Sequence, residues 1–381
     1  MYDTAVVHRD AVRLLHELSG PDGIRASLTP VANYGAVFTR DAVMAGIAGL
    51  LTEDSTVLRG LVRTLEHLRA LQGTEGQIPS NFTPREGSPP AASFGTLVPR
   101  IDAPLWYMIG VSLAARAGAI DPASFAESIR AVVRMLDTLE YNGKHLVYVP
   151  VGGDWADEYI LEGYVLHDQV LRAWALGLAG KIFAEPRWRD KAARIEEAIE
   201  TNFWPAGRDE LPYPIASCSP ARVQDIFDLA SCSLLAVAGI APGRTGAMLD
   251  WIVGRFLERR ELPPAFHPVI DEAHADWPAL ARYHVHGFRN RPHEYHNGGV
   301  WPIWLGWFAL ALAHAGRARD VAHLDNLAHE QMHSREFAFQ EYLHGATGAP
   351  GGVAQMAYTA TGIVLLDVAG RAPSALLVPT R

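Results

Sequence analysis

Cysteine is nearly missing from the 381-residue chain, which holds only Cys218 and Cys232. Two thiols build neither a disulfide framework nor a zinc site, and a reducing cytoplasm is the expected home. Long apolar runs are missing too. The longest uncharged one, Val300 to Ala313, spans 14 residues; that is too short for a bilayer and suits a buried helix. Met1-Tyr2-Asp3-Thr4 shows no basic stretch with an apolar core behind it, so no signal peptide is expected. There is no basic run, and 42 acidic against 33 basic residues give a net charge of −9. Nucleic acids and membranes are therefore not expected partners. No Gly/Ser-rich or charge-rich linker divides the sequence, so one domain over residues 1–381 is expected despite the length.

What is present is apolar surface. Apolar residues make up 49% of the chain and charged ones 20%, ample for a large core and incompatible with disorder. Ten Trp residues suit both buried helices and a pocket that stacks on ring-shaped ligands.

Twelve helical segments are expected, and they alternate in character. Val7–Leu18, Ser55–Gln72, Pro122–Leu139, Arg187–Phe203, Thr245–Phe256 and Ala318–His333 are amphipathic. In the second, Leu58, Leu61, Val62, Leu65, Leu68 and Leu71 form one stripe, and Arg59, Arg63, Glu66 and Arg69 cover the other side. Ala42–Leu51, Ala103–Ala115, Leu229–Ala241 and Trp301–Ala313 are apolar nearly all round, as helices buried on every side are. Tyr164–Gly180 is the most polar of this inner set, and a last segment starts near Ala354. Amphipathic helices outside and apolar ones inside predict an all-α fold, an (α/α)6 barrel, with strands limited to short hairpins in loops such as His145–Val151.

The inner segments begin near Asp41, Asp102, Tyr164, Phe227, Gly299 and Ala354, at spacings of 61, 62, 63, 72 and 55 residues. Ahead of each lies a polar cluster. These are Phe38-Thr39-Arg40-Asp41, Arg100-Ile101-Asp102, Asp154-Trp155-Ala156-Asp157, Arg222-Val223-Gln224-Asp225, Tyr295-His296-Asn297-Gly298-Gly299 and Gln340-Glu341-Tyr342. A solenoid period this regular places all six at one mouth of a closed ring, where helix N-termini also point their free N–H groups. Taken singly, Asp41, Asp102 and Asp225 also fit plain N-caps. Capping does not call for the Trp, Arg, His and Glu beside them.

The motifs resemble those of known families. Phe38-Thr39-Arg40-Asp41, Gly76-Gln77-Ile78-Pro79-Ser80-Asn81-Phe82, Asp102-Ala103-Pro104-Leu105-Trp106 and Trp155-Ala156-Asp157 are similar to the amylo-α-1,6-glucosidase part of glycogen-debranching enzymes. Tyr295-His296-Asn297-Gly298-Gly299-Val300-Trp301-Pro302 and Glu341-Tyr342-Leu343-His344-Gly345 are similar to the neutral/alkaline invertases. The resemblance implies an inverting glycoside hydrolase on an (α/α)6 barrel, acting on an α-glucoside, whether an α-1,6-linked one, sucrose or a glucosylated small molecule. Such hydrolysis needs a carboxylic acid to protonate the leaving oxygen and a carboxylate to activate water on the opposite face.

Within that resemblance Asp157 matches the acid. Trp155 beside it offers an apolar wall that raises a carboxyl pKa, and Asp154 and Glu158 are its near competitors. Glu341 matches the base, with His344 where the invertases have Asp, and Glu336 is the alternative nearby. The sugar-binding candidates are Arg40, Asp41, Asp102, Trp106, Trp155, His296, Asn297 and Trp301. Arg and carboxylate side chains grip adjacent hydroxyls, and the Trp faces stack on a ring, although each Trp also fits ordinary core packing. His296 fits a sugar contact and a satisfied backbone carbonyl equally.

His284, His286, His293 and His296 crowd into thirteen residues but lack a Cys pair or a His-Glu-x-x-His spacing. No metal and no cofactor are expected, and a small carbohydrate is the expected partner. Leu262–Glu294, rich in Pro, His and aromatics, reads as a long loop over the pocket. Two other roles share the architecture. A sugar 2-epimerase would work through a pair of His and leave both carboxylates dispensable, and a non-catalytic sugar-binding barrel would bind without cleaving.

Overall fold

The computed structural model describes residues 4–29, 31–95, 98–140, 143–207, 211–282, 287–332, 337–371 and 376–378. Its helices in chain order are α1 (Thr4–Leu18), α2 (Thr39–Thr52), α3 (Ser55–Ala70), α4 (Asp102–Arg116), α5 (Ala126–Thr138), α6 (Leu166–Ile182) and α7 (Pro186–Asn202). They continue with α8 (Leu229–Ala238), α9 (Pro242–Arg255), the single turn α10 (Trp277–Leu280), α11 (Pro302–His314), α12 (Ala318–Met332) and α13 (Ala357–Arg371). Each inner helix packs against the next, α2 on α4, α4 on α6, α6 on α8, α8 on α11 and α11 on α13, and α13 returns to α2. The ring is closed. The amphipathic α1, α3, α5, α7, α9 and α12 form the outer layer, as their one-sided stripes require. This is an (α/α)6 barrel.

Local chemistry sets the ends. Asp54 caps α3 through Thr56 N and Val57 N, and Gly239, in the left-handed region at φ 70°, stops α8 three residues short of the expected end. The barrel axis is filled with aromatic rings. Trp106 of α4, Trp174 of α6 and Trp307 of α11 meet with centroids 5.9 to 6.1 Å apart. The tail closes the end of the barrel away from the mouth, where Trp174 Nε1 donates to Leu377 O at 2.9 Å and Arg116 Nη1 donates to Leu376 O at 2.7 Å.

The longest described hairpin is Asn81–Arg85 with Ser88–Ser93, which Val37–Phe38 extends to three antiparallel strands. The expected hairpin at His145–Val151 does not form; its one ladder contact is an isolated bridge from Val149 to Gly163. The reason lies in the polar inner helix. Gln169 takes both backbone groups of Val147, accepting from its N at 2.9 Å and donating to its O at 3.0 Å, and the buried Arg172 donates to His145 O at 2.9 Å. The segment finds its hydrogen bonds in α6 instead of in a partner strand. Among the described residues no helix is long and apolar enough to cross a membrane. Cys218 and Cys232 are both free.

Candidate active site

The loops that enter the inner helices enclose a cavity of about 600 Å³. Five of the six expected motifs contribute to it. Arg222-Val223-Gln224-Asp225 does not line the cavity; Arg222 is spent on an ion pair with Asp276 of the following loop.

Asp41 and Asp102 are not N-caps. The capping residues of α2 and α4 are Phe38 and Ile101, neither of which makes a side-chain cap bond. Asp41 and Asp102 lie inside the first turn, and both line the cavity. Ahead of α8 the cap is Asp228, accepting from Ala230 N at 2.9 Å, so the capping role expected of Asp225 falls three residues later.

Arg40 joins the first two carboxylates. Its Nη1 donates to Asp102 Oδ2 at 3.0 Å, and its Nη2 lies 3.3 Å from Asp41 Oδ2. Burial pushes Asp41 upward from the usual carboxylate range, against the pull of Arg40. Arg100 repeats the theme one unit on. It pairs with Asp157 and also bonds the carbonyl of Asp154 at 3.1 Å and that of Gly152. Asp157 still shows 38% of its side-chain surface, facing the cavity, while protein walls surround the rest. Burial raises its pKa and outweighs the lowering by Arg100, Arg40 and Arg289.

Glu341 comes from the last loop. Its Oε1 accepts from Tyr34 Oη at 2.7 Å and its Oε2 from Val353 N at 3.2 Å. Burial raises its pKa, while Tyr34 and Val353 pull the other way. Asp157 and Glu341 act on the same two phenols, Tyr34 and Tyr295, whose ionisation both disfavour. The two carboxyls therefore share one cavity from two loops of the ring. Gly352, at φ +77°, leaves room for the Glu341 carboxylate, since a Cβ there would collide with Oε2.

The aromatic candidates divide. Trp155 and Trp301 line the cavity, with Trp155 stacked on Phe266 at 5.6 Å and Trp301 on His296 at 5.0 Å. The Trp301 indole nitrogen donates to Tyr295 O at 2.9 Å. Trp106 is fully buried and does not reach the cavity; it belongs to the axial core. Asn297 is likewise not a lining residue. Its Nδ2 donates to Ile270 O at 2.7 Å and Asn290 O at 3.1 Å, and its Oδ1 accepts from Ile270 N at 2.8 Å. That amide folds the loop behind Tyr295, whose φ of 48° is rare for a non-glycine residue. His296 lines the cavity with neither ring nitrogen bonded to protein, and burial keeps the ring neutral by holding its pKa well below the usual value. The backbone-carbonyl role weighed for it is not filled.

Asp154, the competing acid, sits beneath the cavity instead of in its wall. Its Oδ1 accepts from Ala156 N at 3.0 Å, and burial together with the charges of Asp102 and Asp228 pushes its pKa up to about 8. Glu158 does line the cavity. Glu336, His284 and His286 lie outside the described residues. Among the described residues no group of three His, Cys, Asp or Glu is placed to hold a metal.

Sequence reading passed over Tyr34, Arg289 and Tyr358, all on the cavity wall. Arg100 and Tyr295, which also line it, stand in two of the expected polar clusters, Arg100-Ile101-Asp102 and Tyr295-His296-Asn297-Gly298-Gly299, but without a role of their own there. The long loop does reach the pocket. Arg289 lines it, and Asn290 Nδ2 donates to Glu158 O at 2.8 Å, tying this loop to the one that carries Asp157.

Residues 266–369 match the family model of alkaline and neutral invertases, a glycoside hydrolase signature over the last third of the chain. The mannosylglycerate hydrolase of Thermus thermophilus, a GH63 enzyme, superposes with a TM-score of 0.69 at 15% identity, over 94% of this chain and 99% of that one. A bacterial glucoamylase complexed with acarbose superposes with a TM-score of 0.68 at 14% identity, over 98% of this chain and 56% of that one. A rhamnosidase from Klebsiella oxytoca with rhamnose bound gives 0.63 at 13% identity, over 96% and 64%. The chain has the fold of the (α/α)6-barrel glycosidases. No curated protein is a detectable sequence relative of it.

Proposed function

We propose that the protein is an inverting glycoside hydrolase that cleaves an α-glucoside, with Asp157 as the general acid and Glu341 as the general base. One observation carries this reading. Two carboxyls with raised pKa, borne by the third and the last mouth loops, face a single cavity that also holds the Arg40–Asp41–Asp102 cluster. Water attacks the anomeric carbon as Glu341 takes its proton. The glycosidic bond breaks, and its electron pair goes to the leaving oxygen, which takes the proton of Asp157. Arg40, Asp41 and Asp102 hold the hydroxyls of the sugar being cleaved, the unpartnered His296 nitrogens take another, and Trp155 supplies an apolar wall.

Arg289 supports a second reading, of the leaving group. Unlike Arg40 and Arg100, it has no carboxylate within ion-pair distance among the described residues, and it lies over the Tyr295 ring at 5.5 Å. A guanidinium on a cavity wall that is bonded to a phenol, Tyr295 Oη at 3.5 Å, and among the described residues to no carboxylate suits a carboxylate on the aglycone. The T. thermophilus enzyme, solved with D-glycerate, acts on a glycoside of that kind.

The test is hydrolysis of sucrose, isomaltose, maltose, branched maltosaccharides and glucosylglycerate, with NMR following the anomer first released. Release of β-glucose, lost in Asp157→Asn and in Glu341→Gln, is the expected result. Full activity in both variants would remove the assignment. A 2-epimerase draws no support here, because among the described residues His296 is the one histidine that lines the cavity.

A further inference from the structure

Glu341 and Tyr34 are 307 positions apart in sequence, yet their side chains meet at 2.7 Å inside the cavity. The contact lies at the seam where the first and last mouth loops close the ring. Several further bonds stitch that seam. Ser27 Oγ and Thr29 Oγ1 donate to Ala354 O at 2.8 and 3.1 Å, and Ala357 N donates to Ala26 O at 2.8 Å. Tyr34 is itself fixed to this strip, its N donating to Val31 O at 3.1 Å and its O accepting from Ser27 N at 3.0 Å. The phenol and the carboxylate are thus carried by two loops bonded to each other.

We propose that Tyr34 is the positioning residue of the base, its hydroxyl holding the Glu341 carboxylate in the orientation that receives a proton from the attacking water. The inference rests on Glu341 being the base. A carboxylate on a flexible stem turns freely unless both oxygens are engaged. Here Val353 N holds Oε2 from the backbone side and Tyr34 Oη holds Oε1 from the cavity side. Each oxygen has two lone-pair directions, so Oε1, held on the cavity side, keeps one for the proton of the attacking water. Tyr34 gives up no proton in the cycle. Burial and the neighbouring Glu341 charge push its own pKa well above the usual phenol value, so it stays a donor throughout.

Tyr34→Phe keeps the ring and removes the bond. On α-D-glucosyl fluoride, whose leaving group needs little protonation, kcat is expected to fall about tenfold or more with KM nearly unchanged. The base must be ionised to act, and a carboxylate that loses a donor is easier to protonate. The acidic limb of the rate profile should therefore move to higher pH. A direct readout needs no substrate. In protein labelled with 13C at the glutamate carboxyls, the resonance missing from Glu341→Gln reports Glu341, and its titration midpoint should rise in Tyr34→Phe. An unmoved midpoint or acidic limb overturns the proposal, even where kcat falls. If Glu341→Gln turns over at the wild-type rate, the reading of the base fails and this inference with it. A dead Glu341→Gln beside a Tyr34→Phe with wild-type titration and rate removes Tyr34 alone.

Discussion

Arg40 Nη1 donates to Asp102 Oδ2 at 3.0 Å, joining the motif of the first repeat to that of the second. The same guanidinium lies beside Asp41, and all three side chains are buried or nearly so. Removing the cation strands two carboxylates in a desolvated site. Arg40→Met is expected to cost about 3–5 kcal/mol of stability, the scale for breaking one side of a buried pair. Arg40→Lys should recover part of the stability and little sugar affinity, because an ammonium cannot fork between the two acids. Urea unfolding and calorimetric glucose titration separate the two effects.

The two proposed catalytic carboxyls should respond differently to the leaving group. Asp157→Asn is expected to lose about two to four orders of magnitude in kcat on an unactivated α-glucoside. It should regain most of that loss on α-glucosyl fluoride, where protonation matters little. Glu341→Gln should stay inactive on both. Equal losses for Asp157→Asn on both substrates would argue that Asp157 binds sugar instead of donating a proton.

Arg100 sets one arm of the pH profile. The acid works protonated, and the ion pair with Arg100 favours its charged form against the raising effect of burial. In Arg100→Met the Asp157 pKa rises, so the basic limb of kcat/KM should move to higher pH while the acidic limb, governed by Glu341, stays in place. A profile over pH 4 to 9 or so would show it.

Much of the architecture is legible in the chain because the two layers bury different amounts of surface. Outer helices need one apolar stripe and inner ones need apolar residues all round, so the alternation identifies the ring. The cavity is less legible, and particular residues explain why. Trp106 follows Asp102 by four positions, so it shares its face but lies one turn deeper, where it meets Trp174 and Trp307 instead of a ligand. Asn297 is next to His296, but its amide is used up on Ile270 and Asn290. Tyr34 and Arg289 sit in irregular loops with no periodic neighbour, so nothing local marks them as facing inward.

Trp106 and Trp155 offer a direct comparison of core and cavity. Trp106→Ala removes a fully buried ring from the axial cluster and should cost about 3–5 kcal/mol of stability. Kinetic constants measured well below its melting temperature should stay near wild type. Trp155→Ala should raise KM as well, because its ring reaches the cavity.

Stability should also fall as pH rises, and Asp154 is the reason. Its Oδ2 has no hydrogen-bond partner in a buried site, and neighbouring Asp168, with neither oxygen bonded, is held far above the usual range by burial and by the Asp154 charge. The folded-state pKa of Asp154, about 8, lies above its unfolded value of 3.8. A carboxyl raised in this way binds its proton more tightly in the native state than in the unfolded one. It destabilises the fold increasingly as pH climbs from about 4 through about 8. His167 works from the other side. Burial depresses it to about 3, so its cost appears as pH drops below about 6.5. Asp154→Asn keeps the shape and the bond from Ala156 N while removing the ionisation. Above pH 8 it should be more stable than wild type by on the order of 1–3 kcal/mol, with the difference shrinking or reversing near pH 5. Urea midpoints collected across that range would decide the matter, and parallel curves for the two proteins would mean that Asp154 does not titrate there.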